Sequence, residues 1–277
     1  RTVDPATVSN VAVSLDSHYR ALLPVTLESL TTNARGPLRV FVTARGLDTA
    51  YRQWLSASFP EIPFTFLTYD DVDYGRITRM LGHVSVATMD RLLLPEVLVD
   101  VDRLAYVDID TVTLGDVTEL ARTDLGGHPL AGRTERFLAT EVWRRAGDLL
   151  DPADAHELRR RMAAAHGVGG HTFNAGVMVL DLDRMRRDRF VERFVPMAGR
   201  FGLHDQDVLN AYTGPERAEL DQRWNSFPVA ESLPDARLLH YAGAGKPWED
   251  LMIPGGHWWR RFADQFAARA SAMPEAD

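Results

Sequence analysis

The chain reads as an α/β fold: a mainly parallel central sheet with helices on both faces, in one domain extended by a C-terminal helical elaboration. Three observations lead there. Short apolar runs of strand length alternate with helical patterns through the first part of the chain. No Pro/Gly/Ser-rich linker, low-complexity tract or internal repeat divides the 277 residues. With 45% hydrophobic residues, a chain of this length buries a substantial core without disulfides or structural metal.

The elements follow in order. Asn10–Leu15 is a buried strand, and a helical pattern runs from Tyr19 to Asn33 with Leu22, Leu23, Leu27 and Leu30 on one side. Leu38–Thr43 is the second strand, Thr49–Phe59 a helix, and Pro63–Leu67 a short third strand. A helix is expected over Val84–Leu94, closed near Pro95. Arg103–Val107 is the next strand. In such sheets ligands bind beyond the carboxyl ends of the strands, so Asp16, Asp108 and Asp110 are expected at one crevice.

The second half breaks the alternation. Gly167–Gly170 is a flexible entry to Phe173–Asp181, whose end reads as a strand. Helical patterns follow at Asp183–Val195 and around Asp205–Tyr212, and Arg237–Tyr241 is another strand. Near the C-terminus Trp258, Trp259, Phe262 and Phe266 form a helical stripe beside Arg260 and Arg261. Packing of that stripe on the main domain is expected, with peripheral membrane contact as the alternative.

Bulk properties narrow the function. A net charge of -8 argues against a nucleic-acid binder, which needs a basic stripe. The absence of cysteine excludes thiolate chemistry, Cys-based zinc sites and a disulfide scaffold. No apolar run approaches the ~18 residues of a transmembrane helix, and no signal peptide is evident. The expectation is a cytoplasmic protein.

The strongest chemical signal is Asp108-Ile-Asp110 at the end of an apolar strand. In extended chain successive side chains alternate, so both carboxylates point one way and Ile109 points into the fold. Two converging carboxylates call for a cation or a proton between them, and a hard divalent ion suits oxygen ligands. The alternative is one turn-capping acid and one solvated acid. Ser14-Leu-Asp-Ser-His18 stands where a dinucleotide fold would carry Gly-x-Gly-x-x-Gly, and no Walker-type loop is present.

Six ordered blocks carry a resemblance. They are Val13-Ser-Leu-Asp-Ser-His-Tyr19, His83-Val-Ser-Val-Ala-Thr-Met-Asp-Arg-Leu-Leu-Leu-Pro95, Tyr106-Val-Asp-Ile-Asp110, Phe173-Asn-Ala-Gly176, His204-Asp-Gln-Asp-Val-Leu-Asn210 and His240-Tyr-Ala-Gly-Ala-Gly-Lys-Pro-Trp248. Over about residues 9–260 the chain resembles the retaining glycosyltransferases of family 8, the group of glycogenin and bacterial lipopolysaccharide hexosyltransferases. The resemblance implies a GT-A-type nucleotide-sugar-binding domain. Residues 9–130 would form its nucleotide-binding half, 131–250 its donor-sugar and acceptor half, and 251–277 a helical tail. Ala131–Gly170 matches the family least, and the acceptor side and a mobile lid are expected there.

The resemblance also assigns residues. Asp108, Asp110 and His240 match the metal ligands, for Mn²⁺ with Mg²⁺ as substitute, and Ile109 lies between the two acids along the donor. Lys246 and Gly243 match the diphosphate loop; a solvated loop lysine is the other reading. Asp16 matches the acceptor of the uracil N–H and Tyr19 the ring that stacks on the base, against a helix cap and a core tyrosine. Ser17-His18 departs from the Asp-Asn that often precedes this tyrosine. Arg91 matches an arginine bridging diphosphate and sugar, against a surface helix residue. His83 matches a position near the diphosphate or acceptor, or simply starts its helix. Asn174, Asp205 and Gln206 match the surroundings of the sugar ring, with Gln206 near the anomeric carbon; helix capping is the alternative for the Asp205–Asp207 cluster. His128, His156, His166, His171 and His257 are read as solvated or structural. The implied activity is metal-dependent transfer of a hexose from a UDP-sugar to a hydroxyl on a small molecule or glycan, with an α-linkage. A glycogenin-like self-glycosylating initiator and a catalytically silent sugar-nucleotide binder are the alternatives.

Overall fold

The computed structural model describes residues 8–74, 85–148, 150–167, 170–232, 234–243, 245–250 and 252–275. Among these the strands are, in chain order, β1 (Ser9–Asp16), β2 (Leu38–Arg45), β3 (Phe64–Thr68), β4 (Arg103–Val107), β5 (Thr111–Thr113), β6 (Leu130–Leu138), β7 (His171–Asp181), β8 (Ala218–Glu219) and β9 (Leu238–His240). The chain forms two compact units: Arg1–Asp70, Ala105–Arg122 and Asp221–Asp277 make one, Asp71–Leu104 and Thr123–Leu220 the other.

In the first unit β3, β2, β1 and β4 lie side by side and parallel. The register runs from Ser9↔Leu38 to Asp16↔Arg45 between β1 and β2, and β1 meets β4 at Val11↔Ala105. Val11, Ala12, Val13, Val40 and Val42 are all completely buried, which is why these strands read as unbroken apolar runs rather than alternating ones. The first helix starts later than its leucine pattern suggests. A 3₁₀ turn at Ser17–Tyr19 intervenes, and the α-helix Leu23–Asn33 begins with Pro24 in its first turn, where a missing N–H costs nothing.

A two-stranded antiparallel ribbon, β5 with β9, sets Thr111 opposite His240. The C-terminal helix Gly256–Arg269 packs by its aromatic stripe, as expected. Phe262 joins Val25, Val112, Leu239 and Tyr241 in one buried cluster, with Trp258 and Trp259 against it. Phe266 stacks on Phe59 at 5.4 Å between ring centroids and meets Trp54 edge-on at 5.7 Å.

In the second unit β6 pairs antiparallel with β7, with register shifts after Gly132 and Thr134, and β8 runs parallel to β6. The expected Val84–Leu94 helix is a 3₁₀ segment, Val86–Leu93, capped by the Ser85 side chain. Pro95 does not close it. It stands in the first turn of a short α-helix, Leu94–Val97, for the same N–H reason as Pro24. The expected Asp183–Val195 helix is broken at Arg189, whose φ of 57° is left-handed, into Leu182–Arg187 and Phe190–Phe194. His83, residues 168 and 169 of the glycine entry, and the start of the Val84 helix lie outside the described residues. No described helix is long and apolar enough to cross a membrane.

Candidate active site

The paired acids stand in the turn that follows β4, not in the strand itself. Their convergence therefore does not come from strand alternation, and Ile109 is only half-buried. Two hydroxyls shape the turn: Thr111 Oγ1 donates to the Asp108 carbonyl at 2.7 Å, and Thr26 Oγ1 to the Ile109 carbonyl at 2.6 Å. The β5–β9 ladder brings in His240, and the Tyr241 N–H donates to the Asp110 carbonyl at 3.0 Å. One ligand atom from each of Asp108, Asp110 and His240 then lies within 4.8 Å of the other two. His240 Nε2 is 3.4 Å from Asp110 Oδ1 and 3.8 Å from Asp108 Oδ2, while its Nδ1 lies 2.8 Å from Asn225 Oδ1. Tyr106 donates its hydroxyl to Asp108 Oδ1 at 3.0 Å.

Lys246 is no solvated lysine. Its Nζ donates to Asp110 Oδ2 at 2.6 Å and to the Tyr241 carbonyl at 2.8 Å, and the residue is 9% exposed. Burial alone would raise the Asp110 carboxyl, but His240 and Lys246 outweigh it and hold that carboxyl well below the usual range. Two carboxylates and an imidazole at this spacing fit a divalent cation that accepts nitrogen as well as oxygen. Gly243 has a φ of 86°, and a Cβ built there would meet nothing within 4 Å, so backbone conformation rather than crowding calls for glycine.

Asp16 caps the 3₁₀ turn, accepting from the His18 N–H at 3.0 Å through Oδ1 alone. Tyr19 lies beside it. Burial raises the Tyr19 hydroxyl, with further contributions from the nearby acids Asp16, Glu249 and Asp110.

The second unit holds another polar cluster. Arg91 is 3% exposed, so it is not a surface helix residue. Its Nε donates to the Thr88 carbonyl at 2.9 Å and stands 3.3 Å from Asp205 Oδ2, while Nη1 donates to the Ala175 carbonyl at 2.8 Å. Gln206 Oε1 accepts from the Ala175 N–H at 3.0 Å, and Asn174 Oδ1 from the Gly176 N–H at 3.0 Å. Both side-chain amides then donate to one carboxylate, Glu135: Asn174 Nδ2 to Oε1 at 3.1 Å and Gln206 Nε2 to Oε2 at 3.3 Å. Asp207 takes the capping role, accepting from the His204 N–H at 3.2 Å at the start of the helix Asp205–Thr213. Burial pushes its carboxyl up to about 6, with Asp205 and Glu135 adding to the rise against the pull of His204.

Glu135 and Asn225 escape sequence reasoning. A single Glu or Asn belongs to no short motif, and Glu135 is 39 residues from Asn174 and 71 from Gln206. Only the fold brings Glu135 to its partners: the β6–β7 register pairs Arg133 with Asn174 and Thr134 with Phe173.

The first unit thus combines a parallel α/β sheet with an Asp/Asp/His cluster, in the turn after β4 and at the end of β9, and a buried lysine beside it, a set whose ligand atoms fit a cation. The sequence model described as Glycosyl transferase family 8 matches residues 10–252, and the chain belongs to that family. Among curated relatives, it is 28% identical over 291 residues to the probable galacturonosyltransferase-like 8 of Arabidopsis thaliana, covering 94% of this chain and 72% of that one. It is 23% identical over 270 residues to general stress protein A of Bacillus subtilis, covering 87% of each. Among solved structures, the galactosyltransferase LgtC in complex with donor and acceptor sugar analogs superposes with a TM-score of 0.73 at 23% identity, covering 96% of this chain and 98% of that one. The bifunctional glycosyltransferase WbbM gives 0.69 at 18% identity, covering 98% of this chain and 53% of that one. The fold is the GT-A type of these glycosyltransferases.

Proposed function

We propose that this chain is a metal-dependent retaining glycosyltransferase that moves a hexose from a UDP-sugar to a hydroxyl acceptor, forming an α-linkage. One observation carries the reading: in a chain of this family, Asp108, Asp110 and His240 gather ligand atoms within 4.8 Å beside a buried Lys246. These three side chains would hold Mn²⁺ or Mg²⁺, and the ion would supply Lewis-acid neutralisation of the departing diphosphate.

The chain's own residues do the rest. Asp16 accepts from the uracil N–H with the carboxylate oxygen its cap does not use, and Tyr19 stacks on the base. Lys246 meets the diphosphate as a point charge, and Arg91 places a second cation between diphosphate and sugar. Asp205 and Asn174 bind sugar hydroxyls, and Gln206 lies against the anomeric carbon.

Retention rests first on the family resemblance, supported by the finding that among the described residues no carboxylate outside the metal and sugar-binding roles clearly fits a base. An inverting enzyme needs a carboxylate placed to deprotonate the acceptor. The carboxylate beside Gln206 is Glu135, and both of its oxygens already accept from side-chain amides. Gln206 itself is an amide with no basicity near neutral pH. The acceptor therefore attacks from the face of the leaving group and gives its proton to the departing diphosphate oxygen. An α-linked donor yields an α-linked product.

Calorimetry with UDP tests the nucleotide and metal: tight binding with Mn²⁺, weak binding with EDTA, and discrimination against ADP are expected. Equal affinity for UDP and ADP, or indifference to chelation, would overturn the reading.

A further inference from the structure

A histidine can give a cation only one ring nitrogen, and which one depends on where its proton sits. His240 is 3% exposed and reaches two environments. Nε2 faces carboxylate oxygens of Asp110 and Asp108 at 3.4 and 3.8 Å, and Nδ1 faces Asn225 Oδ1 at 2.8 Å. Left to itself, the neutral ring would put its proton on Nε2, toward two negative charges. That choice would fill the lone pair a cation needs.

Asn225 opposes that choice. It is completely buried, and the backbone around it is pinned on both sides. Its N–H donates to the Gln222 carbonyl at 3.2 Å, Ser226 N–H to the Leu238 carbonyl at 3.0 Å, and His240 N–H to the Ser226 carbonyl at 2.8 Å. The residue cannot drift from the imidazole edge without breaking this lattice. Its amide oxygen accepts only, so it holds the proton on Nδ1.

We propose that Asn225 is a positioning residue that fixes the tautomer of His240 and so presents the Nε2 lone pair to the Asp108/Asp110 pair. The consequence for a cation rests on the metal reading above. Partners of this kind are worth 10- to 100-fold in metal affinity, as a rough scale.

Long-range ¹H–¹⁵N NMR of metal-free wild-type protein in alkaline buffer reads the tautomer directly, without any variant. The Nδ1–H form is expected for His240, and an Nε2–H form overturns the proposal. Mn²⁺ titration adds a second readout. Asn225→Ala should weaken Mn²⁺ roughly 10- to 100-fold and shift His240 toward Nε2–H, whereas Asn225→Asp keeps an acceptor and should keep Nδ1–H. Unchanged Mn²⁺ affinity and an unchanged tautomer in Asn225→Ala would remove the role. Wild-type protein that shows Nδ1–H yet takes up no Mn²⁺ refutes the metal reading of the site instead, and leaves the tautomer assignment standing.

Discussion

Single side chains in this protein do work that their neighbours define. Lys246 is held against Asp110 at 2.6 Å, so it neutralises one acid before any ligand arrives. Its removal should cost on the order of 10²-fold in turnover, the scale of one electrostatic stabiliser, and steady-state rates of Lys246→Ala with the donor check this. Wild-type rates would leave it a purely structural partner of Asp110. Gln206 makes its contacts to the Ala175 N–H and Glu135 and is assigned to the sugar rather than the nucleotide. Gln206→Ala should lower turnover while calorimetry finds UDP affinity nearly unchanged. Asp207 gives a pH prediction. Burial pushes its carboxyl up to about 6, so the folded state favours the protonated form. That contribution is complete below the ordinary carboxylate value of ~4 and is lost as pH rises toward 6. Asp207→Asn keeps an acceptor for His204 and carries no charge. Its urea midpoint, relative to wild type, should therefore rise between pH 4 and pH 6.5; parallel curves would remove the perturbed carboxyl.

At the scale of elements, the helix Leu23–Asn33 does more than pack. Thr26, Ser29 and Asn33 lie at helical spacing, and their side chains bond the Ile109 carbonyl, the Thr113 N–H and the Thr113 carbonyl. This polar stripe holds the segment that begins with the two acids. On its other side the C-terminal helix Gly256–Arg269 covers the same unit, and Arg269 pairs with Glu28. Phe266 is 9% exposed and stacked on Phe59. Phe266→Ala should cost about 3 kcal/mol by leaving a cavity, seen as a lower urea midpoint with an unchanged slope. A loss below about 1 kcal/mol would show that the tail is dispensable to the fold.

For the whole molecule, the test is what the folded chain takes up and makes. A ligand that binds only the native state raises the melting temperature by mass action, so UDP with Mn²⁺ should raise it and EDTA should abolish the rise. With donor and acceptor, proton NMR should show an α-linkage, and the intact mass of the protein should not change. A β-linkage would overturn the mechanism, and added hexose units would move the acceptor onto the protein. Sequence alone determined much of this protein. The central parallel strands β1 and β2 are legible because their middles, Val11–Val13 and Val40–Val42, are buried on both faces and apolar throughout. Asp108, Asp110, His240 and Lys246 are legible because they stand in short ordered blocks. Tertiary structure decided what locality cannot encode. Pro95 opens a helical turn instead of ending one, because the same ring fits either place. The acids converge through hydroxyls of Thr26 and Thr111 rather than through strand alternation. Glu135 and Asn225 gain their partners only when β6 meets β7 and when the segment 225–226 meets β9. A lone Glu or Asn has no periodicity to betray it, and its role is created by chain segments that are distant in sequence and adjacent in the fold.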